Sequence, residues 1–139
     1  MSVYSGSNKL AAYSSVATHG GVAAGDPHRL ILMLMDGALE RLAMARGCLE
    51  RGDIAQKAAL LQRTVGIIAE LRASLDLPRG GPMDANLDDL YDYMERQLVR
   101  ANSENRGAGL DEVSSLLNEI RSAWVAVPLT LRNSQARQP

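Results

Sequence analysis

Two histidines, one cysteine and a pair of acids one helical turn apart are the residues of this chain best suited by type to do chemistry. Neither His19 nor His28 sits in a Glu-x-x-His pair, so a di-metal site of the kind built inside helix bundles is not expected. Asp36 and Glu40 can flank a site, but two acids on one helix face are ordinarily just solvated. Cys48 is alone; it excludes an internal disulfide framework, suits a reducing cytoplasm and reads as a small buried hydrophobe. No Gly-Lys-Ser/Thr phosphate loop and no Gly-x-Ser-x-Gly elbow occurs. One chemical reading stays open. His28 is an exposed candidate phosphate acceptor, because phosphotransfer domains are also four-helix bundles, although it lacks the lysine–glycine neighbourhood that such a site needs. No catalytic residue, metal or cofactor is assigned, and the chain is not read as an enzyme.

The elements that would position these groups are helical. The stretch Pro27–Asp53 begins with Asp26, which can accept a bond from a free amide, and with Pro27, which suits the first helical position. Gly52 closes it. Ile31, Leu34, Ala38, Leu42, Ala45 and Leu49 share one face. A second helix, Ile54–Leu77, follows after a very short link, so the two are antiparallel neighbours. Its main stripe is Ile54, Ala58, Leu61, Val65, Ile68 and Leu75, with Leu60, Ile67 and Leu71 on a flank and Arg63 and Glu70 on the wet side. Pro78, Gly80, Gly81 and Pro82 break the chain. Asp84 is the expected cap of a third helix over Ala85–Asn105, with Leu87, Leu90, Tyr91, Met94, Leu98 and Ala101 inward. Arg106–Gly109 form the next turn. In the fourth helix Val113, Leu116, Leu117, Ile120, Ala123, Trp124 and Val127 face inward, Trp124 is expected to be largely buried, and Pro128 ends the helix.

The expected fold is therefore all-α: an antiparallel four-helix bundle over residues 26–128, preceded by a flexible segment, 1–25, that carries a short amphipathic helix, and followed by a disordered tail, 129–139. The 46% apolar share is normal for a globular protein, and with no Phe the core must be aliphatic and Met-rich. A net charge of -1 argues against nucleic acid. No apolar run is long enough to insert in a membrane, and no signal-peptide core is seen at the N-terminus.

What remains is a surplus of apolar residues. Leu32, Met33, Leu39, Met44, Leu60, Ile67 and Leu71 cannot all face one bundle core, so a partner that lays an apolar helix on the surface is expected. Leu10, Tyr13 and Val16 recur three apart in a piece too short to hold a helix alone, linked through Gly20, Gly21 and Gly25. Tyr13, Val16, Leu32, Met33, Leu39, Leu60, Ile67 and Leu71 are the candidate partner-binding residues. A homodimer burying the same stripes is the other way to cover them, so the chain is read as a monomer or weak homodimer.

Several motifs in order resemble the FliS-type flagellar secretion chaperones. They are Asp26-Pro27 followed by Leu30-x-x-Met33-Leu34; Asp36-Gly37-Ala38; Glu70-Leu71-x-x-Ser74-Leu75-Asp76; Gly80-Gly81; Asn86-Leu87-x-x-Leu90-Tyr91-Asp92-Tyr93-Met94; Ala101-Asn102; Glu112-Val113-x-x-Leu116-Leu117; and Ala123-Trp124. The likeness runs from about Val22 to Val127. Met35 stands where that family usually has an aromatic, Ala24 where it has threonine and Arg106 where it has an acid. The resemblance implies a non-enzymatic bundle in the bacterial cytosol. Its client would be the C-terminal segment of flagellin, held so that it does not polymerise before type III export, with the chaperone's own N-terminal segment covering part of the groove. Partners in the export apparatus or in regulation remain open.

Overall fold

The computed structural model describes residues 26–77 and 79–127. The expected N-terminal helical segment and the tail lie outside these residues. Four helices follow one another, α1 (Pro27–Arg51), α2 (Ile54–Ala73), α3 (Gly81–Glu104) and α4 (Gly107–Val125), with no strand among the described residues. Each packs on the next, and α4 returns to α1, which closes the ring of an antiparallel four-helix bundle.

Local signals decide the ends. The Asp26 carboxylate accepts from the Arg29 amide at 3.1 Å, and Pro27 occupies the first turn. Gly52 takes a left-handed φ of 76°, which lets its amide donate to the Leu49 carbonyl at 3.2 Å and the Asp53 amide to Cys48 at 2.8 Å. Asp53 then caps α2 through the Gln56 amide. Two residues thus end one helix and start the next, and the chain must reverse.

The other boundaries differ from the expectation. The second helix stops at Ala73 rather than Leu77; Ser74 closes it, its hydroxyl donating to the Leu71 carbonyl at 2.6 Å. The third starts at Gly81, four residues before Ala85, because Pro82 lies in the first turn, where a missing amide costs nothing. Asp84 does not cap it. Its carboxylate instead accepts from the Asp76 amide at 2.8 Å and pins the preceding link. The fourth helix starts at Gly107, so Gly109 is helical and not part of a turn. A Cβ on Gly109 would stand 2.8 Å from the Ala101 Cβ, so glycine permits the close crossing of α3 and α4.

The core is built from Leu34, Met35, Ala38, Leu42 and Ala45 of α1, Leu61, Ile68 and Leu71 of α2, Tyr91, Met94 and Leu98 of α3, and Leu110, Val113 and Leu117 of α4. Burial, with the nearby Asp84 charge second, pushes the Tyr91 phenol up to about 12. Cys48 is buried, as expected.

Two polar residues occupy the inner line of α2. Lys57 is 2% exposed, and its ammonium donates to the Asn102 carbonyl at 2.8 Å and to Asn102 Oδ1 and Asn105 Oδ1 at 2.6 Å each. Thr64 is buried and its hydroxyl donates to the Leu60 carbonyl one turn back at 2.8 Å. With Lys57 and Thr64 inside, the buried face of α2 is turned toward the flank that carries Leu60 and Leu71. Ile54, placed on the stripe by periodicity, is exposed. Glu70 is buried rather than wet, since an angle measured from one stripe does not say what covers the outer face.

Candidate functional site

The eight candidate partner-binding residues divide among four places. Tyr13 and Val16 lie outside the described residues. Leu60, 5% exposed, and Leu71, 0% exposed, are core residues, which corrects their reading as a surface stripe. The physical reason is the turned inner face of α2 described above.

Leu32 and Leu39 are half-buried on the side of α1 that meets α4. That side is set by its neighbours. Asp36 pairs with Arg121 at 2.5 Å, Arg46 pairs with Asp111 at 3.1 Å, and His28 pairs with Trp124, all on α4. Leu32 lies midway between His28 and Asp36 at four-residue spacing, and Leu39 seven residues before Arg46, so both follow this seam. Leu39 packs against the core from there. The ion pairs along the seam are solvated and hold it only weakly, with about 0–1 kcal/mol each.

Met33 and Ile67 belong to the opposite seam, between α1 and α2. Met33 is 44% exposed, and Met44, three turns further along the same helix, is 48% exposed. Gly37 shares their side, four residues from one and seven from the other. A Cβ on Gly37 would lie 3.3 Å from the guanidinium of Arg41, which donates to the Gly37 carbonyl at 3.1 Å, and 3.8 Å from Ile67 Cδ1, so both Arg41 and Ile67 of α2 reach to this strip. The result is a shallow apolar strip, Met33–Gly37–Met44, with a half-buried isoleucine beside it and a glycine in its middle. Such a strip can take one face of a helix, because methionine adapts its shape and the long Arg41 side chain beside Gly37 can swing aside.

His28 is not the exposed phosphate acceptor that its sequence position suggested. It is 8% exposed, its ring stacks on Trp124 with centroids 4.9 Å apart and planes 13° off parallel, and Nε2 meets the Trp124 carbonyl at 2.7 Å. The indole N–H returns a bond to the His28 carbonyl at 2.9 Å. This reciprocal clamp joins the first turn of α1 to the last of α4. Trp124 serves it from the edge of the core, half-buried rather than largely buried as expected. It lies in the last turn of α4, past the last fully buried residue of that helix, Leu117, with its ring stacked on His28 of α1.

Charge is concentrated on α3. Arg72 of α2 reaches Asp88 at 2.6 Å, Asp92 at 3.1 Å and Glu95 at 3.9 Å. The bond to Asp88 is the first cause that raises the Arg72 guanidinium. Asp92 is held below the usual carboxylate range, first by its bond from Arg96. Glu95 is pushed up, because burial outweighs the pull of Arg72. Among the described residues no group of His, Cys, Asp and Glu is placed to hold a metal ion, and no helix is long and apolar enough to cross a membrane.

Sequence reasoning missed Lys57 with its two asparagines, and it missed Gly37 as part of the strip. The only signal for Lys57 was a lysine four residues before Leu61 on a line whose other members, Leu61, Thr64, Ile68 and Leu71, carry no charge.

Comparison with known proteins bears on the same bundle. The family described as Flagellar protein FliS matches residues 9–130. The chain is 50% identical over 112 residues to a flagellar secretion chaperone, FliSB, of Pseudomonas aeruginosa, covering 81% of this chain and 89% of that protein. It is 42% identical over 116 residues to the flagellar secretion chaperone FliS of Salmonella typhimurium, covering 83% and 86%. To the protein of that name from Vibrio cholerae it is 37% identical over 129 residues, covering 93% and 95%. A four-helix bundle with an apolar strip on its first helix, matched to one family over almost its whole length, belongs to the FliS family of flagellar proteins.

Proposed function

We propose that this protein is a cytoplasmic export chaperone that binds the C-terminal segment of flagellin, keeps it from polymerising early and supports flagellar type III secretion. Membership of the FliS family supports a flagellar export client as the partner. The observation that carries the mode of binding is the Met33–Gly37–Met44 strip beside Ile67, apolar surface on a helix whose core face is already filled. A client segment that is unfolded when free would fold onto the strip as an amphipathic helix, with part of the contact energy offset by its ordering. Leu32 and Leu39 on the other seam extend the contact if the client wraps round α1. Tyr13 and Val16 belong to the same proposal as competitors: the N-terminal segment covers apolar surface until the client displaces it, which lowers the apparent affinity. No chemistry is required of the protein, and one copy of the bundle suffices.

The test is calorimetric titration of the whole chain with a flagellin C-terminal peptide, repeated with Met33→Glu. Met33 is nearly half exposed, so the substitution should leave the urea midpoint within about 0.5 kcal/mol of the parent. Binding should weaken about tenfold or more, which corresponds to about 1.4 kcal/mol. Unchanged affinity in a folded Met33→Glu protein removes the strip from the site. Absence of any binding to the parent chain defeats the flagellin reading itself.

A further inference from the structure

Six methionines and one cysteine carry the sulfur of this chain, and the fold sorts them by access. Cys48, Met35 and Met94 are buried, none more than 3% exposed, so the core shields the thiol and two of the thioethers. Met1 lies outside the described residues. Met33, Met44 and Met83 are exposed. Two of these three stand on the strip beside the α1–α2 seam, eleven residues and roughly 16 Å apart along α1. Met83 lies in the first turn of α3, a helix that packs on α2 and α4. Methionine sulfoxide forms where an oxidant can reach the sulfur, so exposure selects Met33, Met44 and Met83 and spares the core. The packing thus leaves the strip open to a change of polarity that the hydrophobic interior does not share.

We propose that Met33 and Met44 form a reversible oxidation site that switches the strip out of its client-binding state, with hydrogen peroxide as the oxidant. The proposal rests on the strip being the client site. In the forward step a lone pair of the thioether sulfur attacks one peroxide oxygen and the O–O bond breaks. The departing oxygen takes both peroxide protons and leaves as water. The sulfur is oxidised by two electrons and the peroxide is reduced. Return takes two thiols, which reduce the sulfoxide to the thioether and end as a disulfide, releasing one water. The effect on binding follows from the exchange of groups. A thioether is a soft apolar contact, whereas a sulfoxide oxygen is a polar acceptor that costs free energy to bury without a donor. Arg41 couples the change to the shape of the strip. It lies four residues after Gly37 and three before Met44, both spacings at which helix side chains are neighbours. Its guanidinium donates to the Gly37 carbonyl at 3.1 Å. The Met44 thioether is only a weak acceptor, but its sulfoxide gives the same guanidinium a strong one. Oxidation therefore holds across the strip the side chain that a client must push aside.

Mass-spectrometric peptide mapping of the peroxide-treated full chain reads the chemistry. Met33, Met44 and Met83 should each gain one oxygen and Met35 and Met94 none, with the circular dichroism unchanged. The peroxide is then removed and the chain is titrated with a flagellin C-terminal peptide. Binding should weaken about tenfold, as expected when a polar group is buried without full compensation, and methionine sulfoxide reductase with a thiol should restore it. Two variants assign the effect, each compared with its own untreated affinity. Met83→Leu should lose about as much on oxidation as the parent does. Met33→Leu with Met44→Leu should lose nothing, whatever its starting affinity; if that pair binds too weakly to titrate, Met83→Leu decides. Unchanged affinity in a parent carrying both sulfoxides overturns the proposal, as does oxidation confined to Met83. A loss that disappears in Met83→Leu, or persists in the leucine pair, places the effect elsewhere and overturns it equally. So does loss of helicity on oxidation, which places the effect in the core. A parent chain that fails to bind the peptide before treatment defeats the flagellin reading and the switch with it, whereas binding that peroxide leaves intact defeats the switch alone.

Discussion

Replacing Lys57 by methionine tests the least expected contact in the fold. Methionine keeps most of the apolar stem and removes the ammonium, so the packing loss is small and the polar loss dominates. Three acceptors then lose their donor: the Asn102 carbonyl, Asn102 Oδ1 and Asn105 Oδ1. They are not equal. Asn105 is exposed and Asn102 half-buried, so both side-chain amides can turn toward water. The Asn102 carbonyl sits in the last turn of α3 and cannot. A buried acceptor left unpaired costs about 1–3 kcal/mol, and bonds from a charged donor contribute about 1.5–3 kcal/mol. One fixed acceptor at full cost and two partly rescued ones come to about 2–4 kcal/mol. This is below the 3–5 kcal/mol for breaking a buried ion pair, because the charge itself is what leaves. Urea unfolding reads it out. With a slope of about 2 kcal/mol per M, the midpoint should fall by about 1–2 M. Exchange of the Arg106 amide, which donates to the Ala101 carbonyl at 3.0 Å across the α3–α4 turn, should also accelerate. A midpoint within about 0.3 M of the parent would refute the reasoning and show that water satisfies all three acceptors.

Three other substitutions probe the same bundle. Gly109→Ala should destabilise by about 1–3 kcal/mol, because the new methyl meets a methyl that cannot rotate away; Ala101→Gly in the same chain should restore the thermal midpoint. Trp124→Ala should cost about 2–3 kcal/mol in chemical denaturation, less than for a fully enclosed aromatic, and should loosen the first turn of α1 in hydrogen exchange through loss of the His28 clamp. Glu95 is raised above its ordinary 4.5 by burial, so the folded state binds its proton more tightly than the unfolded one, and ionising it lowers stability as pH rises from about 4.5. Glu95→Gln should therefore gain on the parent in urea midpoint between pH 4.5 and 7. A constant difference across that range would show that the carboxyl is effectively solvated.

The linear sequence determined the elements that depend on neighbours along the chain. Asp26-Pro27, Gly52-Asp53 and the Gly/Pro cluster after Leu77 act within a few residues, and so do helical stripes such as Leu34, Ala38, Leu42 and Ala45. These were enough for four antiparallel helices, and the ordered motifs were enough for the family. Only tertiary structure decided which apolar residues are left over. Periodicity gives an angle on a helix but not the position of the helices beside it, so Leu60 and Leu71 looked like surplus and are core. The same gap hid Lys57, because a lysine is inside only when another helix brings carbonyl and amide oxygens to it; Asn102 and Asn105 are 45 and 48 residues away. His28 looked free because Trp124, 96 residues on, is its neighbour only in three dimensions. The strip of Met33, Gly37 and Met44 is apolar surface that packing left uncovered, and that is why it is the proposed site.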